Sequence, residues 1–362
     1  MSSKFRLFSP AVDYCNTGPL AFGAEIADKS EAKGHHDNGK NRVKPLSAEG
    51  VDDDFHEPGI LSGYRPPNHC YRLCMLSLFQ LHNETINIWT QIIPALYFFM
   101  QLIWMLPSGD PFLLIYLATT FLFLLTSACA HTFSCFSSCA RHVCFFFDYA
   151  GITLYSCGCA VGYYAYTLPS ELMTPSSYIG ADLCDVYLFL SVFLCIWTTH
   201  LSGATRFWRP TFGRKVVRLG AFVIIWLYLA IPVLWRISRC AYPGQDAGEC
   251  RSTYYWTLQF LSAVSAGILY VSHFPERWFP GKFDIFGHSH QIFHIFGASG
   301  AFNQYRALLV DYTERKQSLR LLGHSPSVAL CVLCIVIVIF ANLIIFSHFY
   351  KKLIHIYRRK QP

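Results

Sequence analysis

The sequence has 362 residues, of which 53% are hydrophobic and 14% are charged. Soluble domains carry charge on about a quarter of their positions, so this composition excludes an ordinary soluble protein and indicates a membrane protein. The net charge is +7, but the Lys and Arg residues lie in short loops between apolar blocks, so nucleic acid is not an expected partner.

Residues 1–56 are polar and show no sustained hydrophobic period, which predicts a disordered cytosolic tail. Eight apolar blocks follow, each close to the roughly 20 residues that a helix needs to cross a bilayer. The blocks are 86–106, 112–130, 143–168, 186–201, 219–234, 254–271, 285–310 and 328–350. The predicted fold is an all-α membrane protein, with a seven-helix transmembrane core at 57–327, an eighth transmembrane helix at 328–350 and a basic cytosolic tail at 351–362.

Seven of these blocks are clear spans, whereas the block at 285–310 is interrupted by histidines and by Asn303, Gln304 and Arg306. Loop charge favours a crossing at this block too. If all eight blocks cross, most loop Lys and Arg residues lie on the side of the N-terminus, and the positive-inside rule then places both termini in the cytosol. Omitting the block would place the basic C-terminal segment outside, which the same rule disfavours.

This topology brings three histidines to a similar depth near the cytosolic leaflet. His131 ends the second span, while His290 and His294 lie four residues apart at the start of the seventh, so their side chains share one helix face. Three imidazoles are the protein ligands of many catalytic zinc sites, whose fourth position is open to water or substrate. The sequence therefore predicts a Zn²⁺ site. The alternative is three separate histidines, each satisfied by backbone or water.

Four further polar residues are expected near this site. Asp148, predicted in the first turns of the third span, could contact the zinc water if the site is hydrolytic, and Ser127, one turn before His131, could support a ligand. Glu84 and Asn87, at the start of the first span, have two interpretations. They either cap the helix and interact with its dipole or form a polar network at the cytosolic entrance.

The cysteines and the basic loops allow two lesser predictions. Most of the 15 cysteines fall in apolar segments and are predicted to be buried thiols. Cys240 and Cys250 lie in an outer loop, where an oxidising compartment would permit a disulfide. The basic residues between the fourth and fifth spans are either solvated topology determinants or a docking surface for anionic lipid headgroups or a partner.

Four motifs resemble the progestin and adiponectin receptor family, most closely its membrane progestin receptor branch. They are the box at 63–90, Ser127-x-x-x-His131, the segment Phe147-Asp148-Tyr149-Ala150-Gly151-Ile152, and 283–294 with His290-x-x-x-His294. The resemblance spans about residues 57–310 and implies zinc held by the three histidines, with Asp148 close to the zinc water. One departure is Gln91, which replaces a family histidine after Trp89-Thr90 and is a poor zinc ligand.

The resemblance implies two functions of different classes. The progestin branch implies a plasma-membrane steroid (progestin) receptor with rapid signalling through heterotrimeric G proteins, with a steroid or lipid ligand and membrane lipids as partners. The wider superfamily, which includes alkaline ceramidases, implies a zinc-dependent lipid amidase at the cytosolic leaflet. A purely structural zinc is a third possibility, but it leaves Asp148 unexplained.

Overall fold

The computed structural model describes residues 44–67, 70–170, 183–209, 211–242, 244 and 250–359. Long helices dominate this part of the chain, and it contains no strand beyond an isolated bridge between Leu46 and Tyr64. The long helices are α1 (Thr85–Met105), α2 (Pro111–Phe133), α3 (Ser138–Gly162), α4 (Leu183–Ala204), α5 (Phe212–Cys240), α6 (Thr253–Ser272), α7 (Ser289–Leu321) and α8 (Val328–Arg359). The predicted all-α membrane bundle is confirmed.

Six of the described helices are long and apolar enough to cross a membrane, namely α1 to α5 and α8. The sequence predicted α6 as a clear span, but α6 falls short because Tyr254, Tyr255, Trp256 and Gln259 dilute its apolar content. Helix α7 also falls short, as its polar residues led us to expect. The two helices pack along one another, and α7 also packs against α1 and α2. Gln259 of α6 and Asn303 and Gln304 of α7 are buried in the bundle, where intramembrane polar residues are normally found.

Two glycines of α3 allow a close approach to α2. A Cβ atom built on Gly151 would lie 2.1 Å from Thr126 Oγ1, and one built on Gly158 would lie 1.9 Å from Thr119 Oγ1. Small residues at such positions let the backbones of membrane helices approach closely. This packing fixes α2, which carries His131, against α3, which carries Asp148.

The ends of the predicted segments differ from the structure in three places. Residues 44–56, assigned above to a disordered tail, are instead packed, because Val51 and Phe55 form a small apolar cluster with Ile60 and Tyr64. The rest of that tail lies outside the described residues. Helix α8 continues to Arg359, so the basic segment from 351 onward extends the helix. Helix α7 begins at Ser289 and not at 285, because Gly287 has a φ of 82°, which favours glycine and ends regular extended or helical structure.

An ion pair, a hydrogen bond and a disulfide stabilise the end of the bundle where α2 begins and α7 finishes. Arg236 of α5 forms a buried ion pair with Asp311 of α7 at 2.8 Å, and the Thr167 hydroxyl donates to the same carboxylate at 2.9 Å. A disulfide joins Cys240 to Cys250, the pairing that the sequence permitted but did not decide. Because Arg236 and Asp311 are both buried, α7 is fixed against α5 and the turn that follows α3, far from its histidines.

The close α2–α3 contact makes a prediction for thermal stability. Gly158→Ala should lower the stability of the detergent-solubilised protein by about 1–3 kcal/mol, because the added methyl group overpacks against Thr119. The matched control is Gly267→Ala in α6, where an added Cβ meets nothing within 4 Å. The measurement is thermal unfolding followed by intrinsic fluorescence. Equal melting temperatures for the two variants would contradict the proposed contact.

Candidate metal centre

Three histidines meet where the end of α2 contacts the start of α7. His131 lies in the last turn of α2, and His290 and His294 lie in the first two turns of α7. One ring nitrogen from each can be chosen such that all three lie within 4.8 Å of one another. The distance from His131 Nε2 to His290 Nε2 is 3.3 Å. The structure thus brings together the three residues that the sequence predicted as metal ligands.

The donor set fits a tetrahedral ion. Zinc binds imidazole nitrogen at 2.0–2.1 Å, so two nitrogens on a tetrahedral zinc lie about 3.3 Å apart. The His131–His290 distance matches this value. His131 and His294 are 2% and 4% exposed, whereas His290 is half-buried. The cluster could therefore hold a metal ion, with His290 as its most exposed candidate ligand.

Groups in the first turns of α1 and in the residue before it orient two of the imidazoles. His131 Nδ1 lies 2.8 Å from the Glu84 carboxylate. His294 Nδ1 lies 3.2 Å from the carbonyl oxygen of Asn87 and 3.3 Å from the Thr90 hydroxyl. When Nδ1 donates to an oxygen, Nε2 is the nitrogen left to bind a metal. Carboxylate and carbonyl partners of this kind fix the ring orientation and raise the basicity of the ligand.

Glu84 belongs to a polar network and is not a side-chain cap. It occupies the residue before α1, but its carboxylate accepts no hydrogen bond from the first backbone N–H groups of that helix. Instead it accepts from Asn87 Nδ2 at 2.6 Å and faces His131. Burial acts to raise the pKa of Glu84, but His131 and the guanidinium groups of Arg141 and Arg65 hold that pKa well below its usual range. The capping interpretation is therefore wrong for this side chain.

Asp148 lies beside the histidines and does not belong to the cluster of candidate ligands. Its carboxylate is close enough to Ser127, one turn before His131, and to His131 itself to interact with both side chains. The predicted place of Asp148 in the first turns of α3 is wrong, because α3 begins at Ser138 and Asp148 falls in its third turn. The Ser127–Asp148 pair is thus a polar group deeper in the bundle, next to the candidate metal site.

Arg65 and His82 support the site, and sequence reasoning gave them no role. Arg65 donates to the carbonyl oxygens of His131 and Thr132, which are among the last of α2. A guanidinium at this end of a helix also interacts favourably with the helix dipole. His82 Nδ1 accepts a hydrogen bond from the backbone N–H of Glu84 at 3.1 Å. Burial and the nearby Arg65 lower the pKa of His82 to about 3, so its ring is neutral at physiological pH.

A second pair of contacts joins the segment before α1 to the segment before α7. Asp284 accepts hydrogen bonds from Leu61 N at 2.9 Å and from Ser62 Oγ at 2.6 Å. His288 Nε2 lies 3.1 Å from the carbonyl oxygen of Asn83, which agrees with its exclusion from the ligand set. These residues fall within the motifs at 63–90 and 283–294 or next to them. The position of these residues in or near the motifs marked them as candidates, but it did not show which residues contact one another.

Two amide oxygens on α1 are buried near the histidines. Asn87 Oδ1 and Gln91 Oε1 have no hydrogen-bond partner among the described residues, and Gln91 is 2% exposed. These side chains lie one turn apart on the helix that also contacts His294. Buried amide oxygens normally accept a hydrogen bond, so this region of α1 can receive a donor from water or a ligand.

Comparison with known proteins identifies the family. The pattern of the family described as Haemolysin-III related matches residues 79–305, which include all three histidines and Asp148. This chain belongs to the haemolysin-III-related family. It is 37% identical over 315 residues to membrane progestin receptor gamma of Homo sapiens, covering 83% of this chain and 92% of that protein.

Two further relatives of this family support the same grouping. Identity to membrane progestin receptor delta of Homo sapiens is 35% over 311 residues, which cover 82% of this chain and 87% of the relative. Identity to membrane progestin receptor gamma-A of Danio rerio is 37% over 299 residues, which cover 76% of this chain and 84% of the relative. The resemblance to the membrane progestin receptor branch of the progestin and adiponectin receptor family is confirmed. The haemolysin-III-related match ends within α7, so α8 lies outside it.

The Glu84–His131 contact makes a prediction for metal affinity. Glu84→Gln should weaken metal binding by about 10–100-fold, because partners that orient a ligating histidine have effects of this size. The measurement is a zinc titration of the purified protein against a competing chelator. Glu49→Gln, at an exposed position before the bundle, is the matched control and should bind as wild type does. An unchanged affinity for Glu84→Gln would exclude this role for the carboxylate.

Proposed function

We propose that this protein is a plasma-membrane receptor for a steroid of the progestin class and that it signals through heterotrimeric G proteins. One observation carries the proposal. Proteins named membrane progestin receptors are 35–37% identical to this chain over most of its length. The predicted topology adds that the basic loops face the cytosol, where a signalling partner would bind.

An apolar cavity offers a place for a steroid-like ligand. It has a volume of about 110 Å³ and lies between α3, α4 and α5, at the end of the bundle opposite to the histidines. Its walls are Leu168, Pro169, Leu183, Tyr187, Tyr228, Ile231, Pro232 and Trp235. Small-molecule sites are mostly apolar and aromatic, but they usually enclose about 300 Å³ or more. A steroid would therefore need side chains such as Tyr187 or Trp235 to rotate outward.

We further propose Zn²⁺ as the ion at the metal centre. His131, His290 and His294 would hold it, and Glu84 would orient His131. When bound, zinc supplies a Lewis acid that can polarise a carbonyl oxygen. In a receptor the same ligands would fasten the end of α2 to the start of α7, so the centre would stabilise the bundle without contacting the steroid.

A second candidate function is a zinc-dependent lipid amidase of the ceramidase type, acting at the cytosolic leaflet. The half-buried His290 and the neighbouring Ser127–Asp148 pair favour it. In this reading Ser127 orients Asp148, and a carboxylate oxygen of Asp148 accepts the proton of the attacking water. A structural zinc alone would leave the Ser127–Asp148 pair without a role.

The cavity predicts which residues a steroid contacts. Trp235→Ala should weaken progesterone binding by at least about tenfold, equivalent to about 1.4 kcal/mol, because a steroid in the cavity would cover the partly exposed Trp235 ring and gain an aromatic contact. Trp104→Ala is the matched control, since Trp104 is 70% exposed on α1 and does not line the cavity. Binding is measured with radiolabelled steroid on purified protein. Equal losses in the two variants would place the steroid elsewhere.

Variants of the metal centre distinguish the receptor function from the amidase function. His290→Ala should abolish stoichiometric zinc, because it removes one of three ligands, while the distant cavity should still bind steroid. Zinc content, steroid binding and fatty-acid release from ceramide are measured on the same preparations, with the exposed His348→Ala as control. The receptor proposal expects no fatty-acid release from wild type. Release that disappears in both His290→Ala and Asp148→Asn would instead establish the amidase.

A further inference from the structure

Five basic side chains gather at the end of the bundle that holds the metal centre. We call them the basic cluster, and they come from the start of α3, the turn after α4 and the start of α5. The residues are Arg141, Arg206, Arg214, Lys215 and Arg218. Arg141 and Arg206 both contact the ring of Phe145, with guanidinium carbons 5.2 Å and 4.6 Å from its centroid. Arg218 lies 5.1 Å from the ring of Tyr149, one turn further along α3.

The acidic groups near the basic cluster are too few to balance it. Arg141 forms a salt bridge with Glu57 at 2.7 Å. Within the described parts of the chain, no salt bridge reaches Arg206, Arg214 or Arg218. Asp148 interacts with Arg206 and Arg218, and Glu57 interacts with Arg214 and Arg218, only at longer range. The cluster therefore carries excess positive charge where Arg206 and Arg218 approach one another.

Burial argues against a role as solvated topology determinants alone. Arg218 is 8% exposed, and Arg206 and Arg214 are half-buried. Arg218 Nε donates to Thr205 Oγ1 at 2.9 Å, but Arg218 Nη2 is a buried group without an acceptor among the described residues. Arg214 Nε is likewise buried and has no acceptor among the described residues. Buried charges in proteins are normally paired and hydrogen-bonded, so an anionic group at this place would satisfy both donors.

The surroundings of the basic cluster match a lipid headgroup. Guanidinium groups bind phosphate through parallel N–H···O bonds, and two or three of them can share one phosphate. Next to the cluster, Trp208 and Phe212 are 46% and 61% exposed on the outside of the bundle. Aromatic side chains at this level are typical of the membrane interface, where they contact headgroups and acyl chains. Soluble phosphate would not use this apolar border.

We propose that Arg206, Arg214 and Arg218 bind the phosphate group of an anionic phospholipid in the leaflet at this end of the bundle. The phosphate lies beside the three guanidinium groups. It accepts hydrogen bonds from Arg218 Nη2 and Arg214 Nε, which are buried in this structure, once a side chain of the cluster rotates to admit it. The acyl chains pass along Trp208 and Phe212. This site is independent of the steroid proposal and of the identity of the metal, because none of its three arginines is a candidate metal ligand.

The test uses the full-length purified protein and defined lipids. Wild type and variants are mixed with phosphatidylcholine, phosphatidic acid or phosphatidylinositol 4-phosphate in detergent, and bound lipid is quantified by native mass spectrometry. Wild type should retain an anionic lipid at least about tenfold better than phosphatidylcholine, and Arg218→Gln should remove most of this preference. Arg209→Gln is the matched control, because Arg209 is exposed in the same turn and has no part in the cluster.

Three results would overturn the proposal. Wild type could show no preference for anionic lipid over phosphatidylcholine. Arg209→Gln could lower the preference as much as Arg218→Gln does, which would indicate general surface charge. Inorganic phosphate alone could raise the melting temperature as much as the lipids do, which would make soluble phosphate the ligand. Arg218→Lys keeps the positive charge and controls for misfolding of Arg218→Gln. An intermediate loss of lipid preference in this variant, with the melting temperature of wild type, supports the site.

Discussion

The approach of the end of α2 to the start of α7 is the constraint on which the rest of the structure depends. It brings His131 and His290 to 3.3 Å from one another, a separation that two imidazoles maintain when they share an ion or a hydrogen bond. The α3 glycines fix α2 from one side, and Arg65 binds its last carbonyl groups from the other. Each of these contacts helps to position α2, whose last turn carries His131.

Polar groups inside the bundle contact other helices for one physical reason. Helix α7 is too polar to be identified as a span by its composition, yet its histidines, Gln304 and Asp311 are all turned toward other helices. A bilayer cannot solvate such groups, so they are satisfied within the protein. At one end this produces the histidine cluster, and at the other it produces the buried pair of Arg236 and Asp311. The polar residues that lower the hydropathy of α7 therefore also form its contacts with neighbouring helices.

The two ends of the bundle differ in chemistry. The end with the metal centre also holds the basic cluster, and Asp148 lies close enough to both to interact with His131, Arg206 and Arg218. The opposite end holds the apolar cavity and the disulfide. A ligand bound in the cavity would act on the metal centre only through helix packing, chiefly through α3, which runs from one end to the other. This separation makes the receptor and amidase functions distinguishable by experiment.

The sequence by itself determined the bundle and the family, and it predicted the three histidines as one site. These conclusions rest on span length, helical spacing, loop charge and motifs. Spans follow from length and hydropathy, and the spacing of His290 and His294 follows from the helical period. Tertiary structure alone decided that Glu84 faces His131, that Arg65 binds the end of α2, and that residues 44–56 are packed. It also placed Asp148 deeper than expected. These outcomes depend on partners far apart in the chain, whose pairing no local period specifies.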